Sequence, residues 1–104
     1  MAKFMFAYHG GGGMVESPAE QAKVMAAWGA WYGTLGDAVA DGGAPFAGSM
    51  SVSPKGRSTA ASGLTGFSIV TATSLDAAAA MTTGCPVLAN GGTVEVYECI
   101  DMGM

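Results

Sequence analysis

His9 is the single histidine of the chain, and it stands where the run Phe4-Met5-Phe6-Ala7-Tyr8 gives way to Gly10-Gly11-Gly12-Gly13. An imidazole titrates near pH 6.5, so a histidine at such a strand end suits proton transfer in a site that needs no cofactor. A solvent-wetted strand end is the plainer account of the same residue. Glu95 and Glu98 are the carboxylates within reach of it if the last strand neighbours the first. Side chains alternate along a strand, so the two lie on opposite faces, and distance along the strand argues against Glu98. Solubility of an edge strand explains both without chemistry.

Tyr8, Trp28, Trp31 and Tyr32 are the candidates for the walls of a ligand pocket. Aromatic rings with a polar tip suit a flat organic ligand, although a stripe at helical spacing also serves as plain core. The four glycines after His9 could turn backbone N–H groups toward an anion. They lack the Lys-Ser/Thr of a phosphate loop and the spaced glycines of a dinucleotide site, so a surface loop is the simpler reading. Cys85 precedes Pro86 just past a helix end, where the dipole disfavours a thiolate, and reads as an inert thiol. One histidine, two distant cysteines and scattered carboxylates match no metal-ligand spacing. No metal or cofactor is expected.

The elements that must position these residues follow from periodicity. Residues 17–46 read as one long helix. Ser17 and Glu20 form a capping box around Pro18, and Val24, Trp28, Trp31, Leu35 and Val39 draw one apolar stripe. Gly42-Gly43 marks its stop. Gly29, Gly33 and Gly36 each weaken a helix by about 1 kcal/mol relative to alanine, which suggests a close neighbour on that face or a helix rescued by packing. Lys3 to Tyr8, Phe46 to Val52, Gly66 to Ala72 and Thr93 to Ile100 read as strands. Phe67, Ile69 and Thr71 share one face of the third. Ser53 to Ser58 is a turn, Ser58 to Thr65 a loop, and Thr73-x-x-Asp76 opens a second helix through Met81 that Gly84 and Pro86 close. Val87 to Gly92 completes the connection as a loop.

The order is strand, helix, strand, strand, helix, strand: an α+β, ferredoxin-like βαββαβ pattern with a four-stranded antiparallel sheet. Residues 1–104 make a single domain. Half of the residues are apolar and only 12% are charged, too few to cover the second sheet face. Stacking two copies through that face would bury roughly 800 Å² on each at ~25 cal/mol/Å². A homodimer of the dimeric α+β barrel kind is therefore expected. A net charge of −4 with four scattered cations argues against nucleic acid and against an anionic membrane. No segment approaches the ~20 apolar residues of a spanning helix, and no leader peptide opens the chain. Cys85 and Cys99 read as free thiols of a bacterial-type cytoplasm.

The segments KFMFAY, VMAAWGAWYGTLGDAVADGGAPF, LTGFSIVTATSLDAAAAM and VEVYE resemble, in order, the YCII-related domain family. The resemblance implies a ferredoxin-like fold and sheet-to-sheet dimers. Some members pair a histidine near the start of the first helix with an aspartate after the second. Here Pro18-Ala19-Glu20-Gln21 and Gly84-Cys85-Pro86-Val87 fill those places, with neither residue, and a DGPF motif is absent. The expectation is a homodimeric protein that binds a small organic ligand between the long helix and the sheet. Two alternatives stand beside it. One is a small cofactor-independent enzyme, lyase or dehydrochlorinase-like, with His9 as general acid/base beside Trp31 and Tyr32. The other is a purely structural dimerisation module.

Overall fold

Alternation along the first strand places Phe4, Phe6 and Tyr8 on one side of the chain, and all three are buried. The computed structural model describes residues 1–10, 18–58 and 63–102. The proposed Ser17 cap and Gly11 to Gly13 lie outside the described residues. The strand β1 (Ala2–His9) is followed by a helix α1 (Pro18–Leu35), strand β2 (Val39–Pro45), and a small hairpin of β3 (Ser51–Ser53) and β4 (Gly56–Ser58). Strand β5 (Leu64–Ala72), short helices α2 (Leu75–Ala80) and α3 (Pro86–Ala89), and strand β6 (Thr93–Glu98) complete it.

The main sheet has the order β2-β5-β1-β6 with every pairing antiparallel. This is the expected α+β, ferredoxin-like arrangement, with β1 central. Phe4, Phe6, Tyr8, Val70, Ala72, Trp31, Ala78, Cys85 and Val87 form one core, which sets all three helices on a single face of the sheet. The opposite face carries the other half of each alternation. Register places Met5 beside Ile69 and Tyr97, and Ala7 beside Phe67 and Glu95. This face is largely apolar, and among the described residues no helix is layered over it. Among the described residues no helix is long and apolar enough to cross a membrane.

Four expectations need correction. The long helix ends at Leu35 and not at Gly42-Gly43, because Gly36 takes φ +57 and turns the chain into a short 3-10 segment, Gly36–Ala38. In consequence the second sheet strand is Val39–Pro45, with Gly42-Gly43 inside it, and not Phe46 to Val52. The cap of α2 is Ser74, whose hydroxyl accepts the Ala77 N–H at 3.0 Å, rather than Thr73. Part of the Val87 to Gly92 loop is helical: Pro86, with its φ preset for a first helical position, starts α3.

The three glycines expected inside the long helix also behave differently from expectation. A Cβ at Gly29, Gly33 or Gly36 would meet nothing within 4 Å, so no ring or backbone crowds that face. Gly36 needs its positive φ, but Gly29 and Gly33 are ordinary exposed helical positions. Gly29→Ala and Gly33→Ala are each expected to raise stability by about 0.5–1 kcal/mol through helix propensity and the unfolded-chain entropy. Urea unfolding of the two variants checks this. Loss of stability in either would mean that this helix face is covered in the assembled protein.

Candidate functional site

Two groups of polar and aromatic side chains stand out, and the sheet separates them. On the helix face, Tyr8 from β1 meets Trp28, Trp31 and Tyr32 from α1. Ring centroids lie 5.1 Å apart for Tyr8 and Trp28, 5.7 Å for Trp28 and Trp31, and 5.2 Å for Trp31 and Tyr32. Spacing of three and four along α1 puts Trp28, Trp31 and Tyr32 on the stripe that faces the sheet. Trp31 is the anchor, only 3% exposed, stacked on Phe6 and donating from Nε1 to the Met81 carbonyl at 3.1 Å. Trp28 and Tyr32 remain half-buried.

Beneath these rings lies a hydroxyl network around Ser68, which is fully buried. The Tyr8 hydroxyl donates to Ser68 Oγ at 2.8 Å, and the Tyr32 hydroxyl lies 2.7 Å from the same oxygen. Ser68 in turn donates to the Gly42 carbonyl at 3.0 Å. Ser68 and Tyr32 each carry one proton: when Tyr32 donates to Ser68, Ser68 donates to Gly42, and when Tyr32 donates to Gly42, Ser68 donates to Tyr32. Tyr32 also reaches the Gly42 carbonyl at 3.2 Å. Burial pushes the Tyr8 phenol far above its ordinary range, so it stays protonated and remains a donor. Ser68 was not among the residues picked from sequence. Its signal was there: it alternates with Gly66, Val70 and Ala72, a lone hydroxyl on an otherwise apolar buried face.

On the open face, His9 Nε2 is hydrogen-bonded to Glu95 Oε1, and the Tyr97 hydroxyl donates to Glu95 Oε2 at 3.1 Å. Glu95 sits opposite Ala7 and Tyr97 opposite Met5, so both share the face of His9. In a neutral ring, a proton held on Nε2 by the carboxylate leaves Nδ1 as the acceptor. The hydrogen bond from His9, then that from Tyr97, holds the Glu95 carboxyl below its ordinary range. The same contact pushes the Tyr97 phenol up. Glu98 pairs opposite Phe4, at the far end of the strand.

The sign of the pH effect follows from the lowered Glu95 value. The pair contributes fully above the ordinary carboxyl range and is lost as pH falls through the folded-state value. Carbon-detected NMR titration of the Glu95 carboxyl is expected to give a midpoint below that of an unperturbed glutamate. A midpoint at or above the ordinary value would show that the His9 contact does not persist in solution.

The structure thus brings Tyr8, Trp28, Trp31 and Tyr32 together and sets His9 on the other side of the sheet. The proposed grouping of His9 with Trp31 and Tyr32 does not form, because Tyr8 and His9 are consecutive residues that point to opposite faces. Tyr97 went unnoticed in the sequence, and only the pairing of β1 with β6 reveals it. Cys85 is buried and its thiol is pushed up by desolvation, which makes it unreactive. Among the described residues no group of three metal-ligating side chains gathers.

No curated protein sequence and no solved structure matches the chain significantly. The YCII-related domain pattern matches residues 2–103, nearly the whole length, and by that match the chain belongs to the YCII-related domain family.

Proposed function

We propose that the chain acts as a homodimer stacked through its open sheet face, in the cytoplasm, and binds a small organic molecule in the cleft between α1 and the sheet. The observation that carries the ligand reading is the Ser68 network. Three hydroxyls and a carbonyl are gathered under half-buried Trp28 and Tyr32. Binding sites for small molecules combine an apolar wall with a few placed polar groups, which is this composition. Such a site favours a flat, uncharged ligand bearing one hydrogen-bonding group. The dimer reading draws on the apolar open face, where Met5, Phe67 and Ile69 are only partly covered by their own chain.

Thermal-shift screening with small phenols and cyclic ketones tests the ligand reading. A binder is expected to raise the melting temperature of the wild type and much less that of Tyr32→Phe. If no compound of either class shifts the wild type, the cleft is packing and the structural-module reading takes over. Sedimentation at micromolar concentration tests the dimer: Ile69→Asp is expected to yield single protomers, and a wild type that is already monomeric would refute it.

A second reading is favoured by one contact, that of His9 with Glu95. A carboxylate-held imidazole is the arrangement that general acid/base catalysis uses, and stacked open faces would enclose it. In that reading the protein is a small cofactor-independent enzyme. His9→Ala should abolish turnover of its substrate, and retained turnover would remove His9 as the proton carrier.

A further inference from the structure

The hairpin of β3 and β4 forms a two-stranded sheet of its own, apart from the four-stranded sheet, and every one of its residues is exposed. It leaves the body from the end of β2, where the Phe46 N–H donates to the Thr65 carbonyl at 2.8 Å. Directly opposed residues of an antiparallel pair share a face, so Val52 and Arg57 lie on one side and Ser51 and Ser58 on the other. The arm is therefore two-sided. Val52 is 74% exposed, and Met50, just before β3, is 59% exposed. A solvated hairpin has no use for these side chains in water.

Charge divides along the same line. Lys55 and Arg57 are two of the four cations in the chain, and all eight carboxylates lie outside residues 46–64. The arm carries +2 and the rest of the chain −6. Among the described residues neither Lys55 nor Arg57 meets a carboxylate. The apolar surface is continuous as well: at the base of the arm Phe46 stacks on Phe67 of the open face, with centroids 5.9 Å apart. That face also holds two carboxylates by register, Glu95 opposite Ala7 and Asp41 opposite Ile69.

From these observations we infer that the hairpin is a dimerisation arm. It lies on the open sheet face of a second copy of this chain, with Val52 on its apolar surface and Arg57 against one of its carboxylates. This rests on the sheet-face homodimer proposed above and adds to it the element that clasps the two copies. An arm that is basic on a strongly acidic chain also sets orientation: body against body repels, and arm against body attracts.

Because the arm residues are exposed, substitutions there leave the fold of each protomer intact, which circular dichroism verifies. The dissociation constant of the dimer, from sedimentation at low salt, is expected to rise about tenfold or more in Arg57→Glu and several-fold in Val52→Ser. The Arg57→Glu effect should shrink as salt screens the contact. A photo-crosslinker at position 52, in mixed labelled and unlabelled protein, is expected to capture peptides of β5 or β6 from the other copy. A dimer whose affinity ignores both arm substitutions overturns the arm while leaving the stacked sheets intact. A wild type that sediments as single protomers overturns both.

Discussion

Gly43→Ala is expected to lower stability by at least about 3 kcal/mol, more than ten degrees in melting temperature for a domain of this size. Gly43 sits in β2 with φ +72, and an alanine Cβ there would lie 1.8 Å from the Phe67 carbonyl oxygen and 2.6 Å from its carbon. Neither atom belongs to a flexible side chain, so β2 must move away from β5. The left-handed conformation alone costs an alanine about 1–2 kcal/mol. Displacement of the strand adds lost ladder bonds and draws the Gly42 carbonyl off Ser68 and Tyr32. Gly42→Ala is the internal control. Its Cβ would meet nothing within 4 Å and its φ is ordinary, so it should change stability by less than about 1 kcal/mol. Thermal and urea unfolding of the two variants decide the matter. Equal effects at both positions would mean that β2 does not run against β5 as described.

Ser68→Ala is expected to cost about 2–3 kcal/mol, far more than the removal of one exposed hydroxyl. The Tyr8 hydroxyl donates to Ser68 Oγ, so the change removes the acceptor of a buried phenol and leaves Tyr32 as its remaining hydroxyl neighbour. Tyr32 keeps the Gly42 carbonyl, which limits the loss to one orphaned group. Tyr8→Phe, which removes the donor itself, should cost less than Ser68→Ala, because apolar replacement leaves nothing unsatisfied except the serine's spare lone pair. The pair Tyr8→Phe with Ser68→Ala should be milder than the sum of the two. Additive losses in that double-mutant cycle would show that the two hydroxyls do not bond. The network also ties stability to the proposed ligand site: a ligand that bonds the relay would partly rescue Ser68→Ala, and one that binds elsewhere would not.

The aromatic grouping on the helix face is legible in the sequence. The step of three and four from Trp28 to Trp31 to Leu35 specifies a buried stripe on α1. The alternation from Phe4 to Tyr8 puts Phe4, Phe6 and Tyr8 on one face of the first strand, and the tertiary structure decides that this is the face toward α1. Together they place Tyr8, Trp28, Trp31 and Tyr32 on one side of the sheet. His9 follows Tyr8 directly and so faces the opposite side of the sheet, where β6 and not α1 supplies its partners. Glu95 was in view as a carboxylate within reach of His9. Tyr97 came into view only through the register of β6 on β1.

The sequence alone determined the βαββαβ class, because hydrophobic periodicity and turn residues act within a few positions of one another. It did not determine where α1 ends. Gly36 and Gly42-Gly43 are equivalent stop signals locally, and the choice falls to Gly36 because β2 must then pair along β5, with Gly43 seated against the Phe67 carbonyl. Tertiary structure likewise decided which polar groups meet. Ser68 lies 60 positions from Tyr8 and Glu95 lies 86 from His9, and such distances close only when strands from opposite ends of the chain lie side by side.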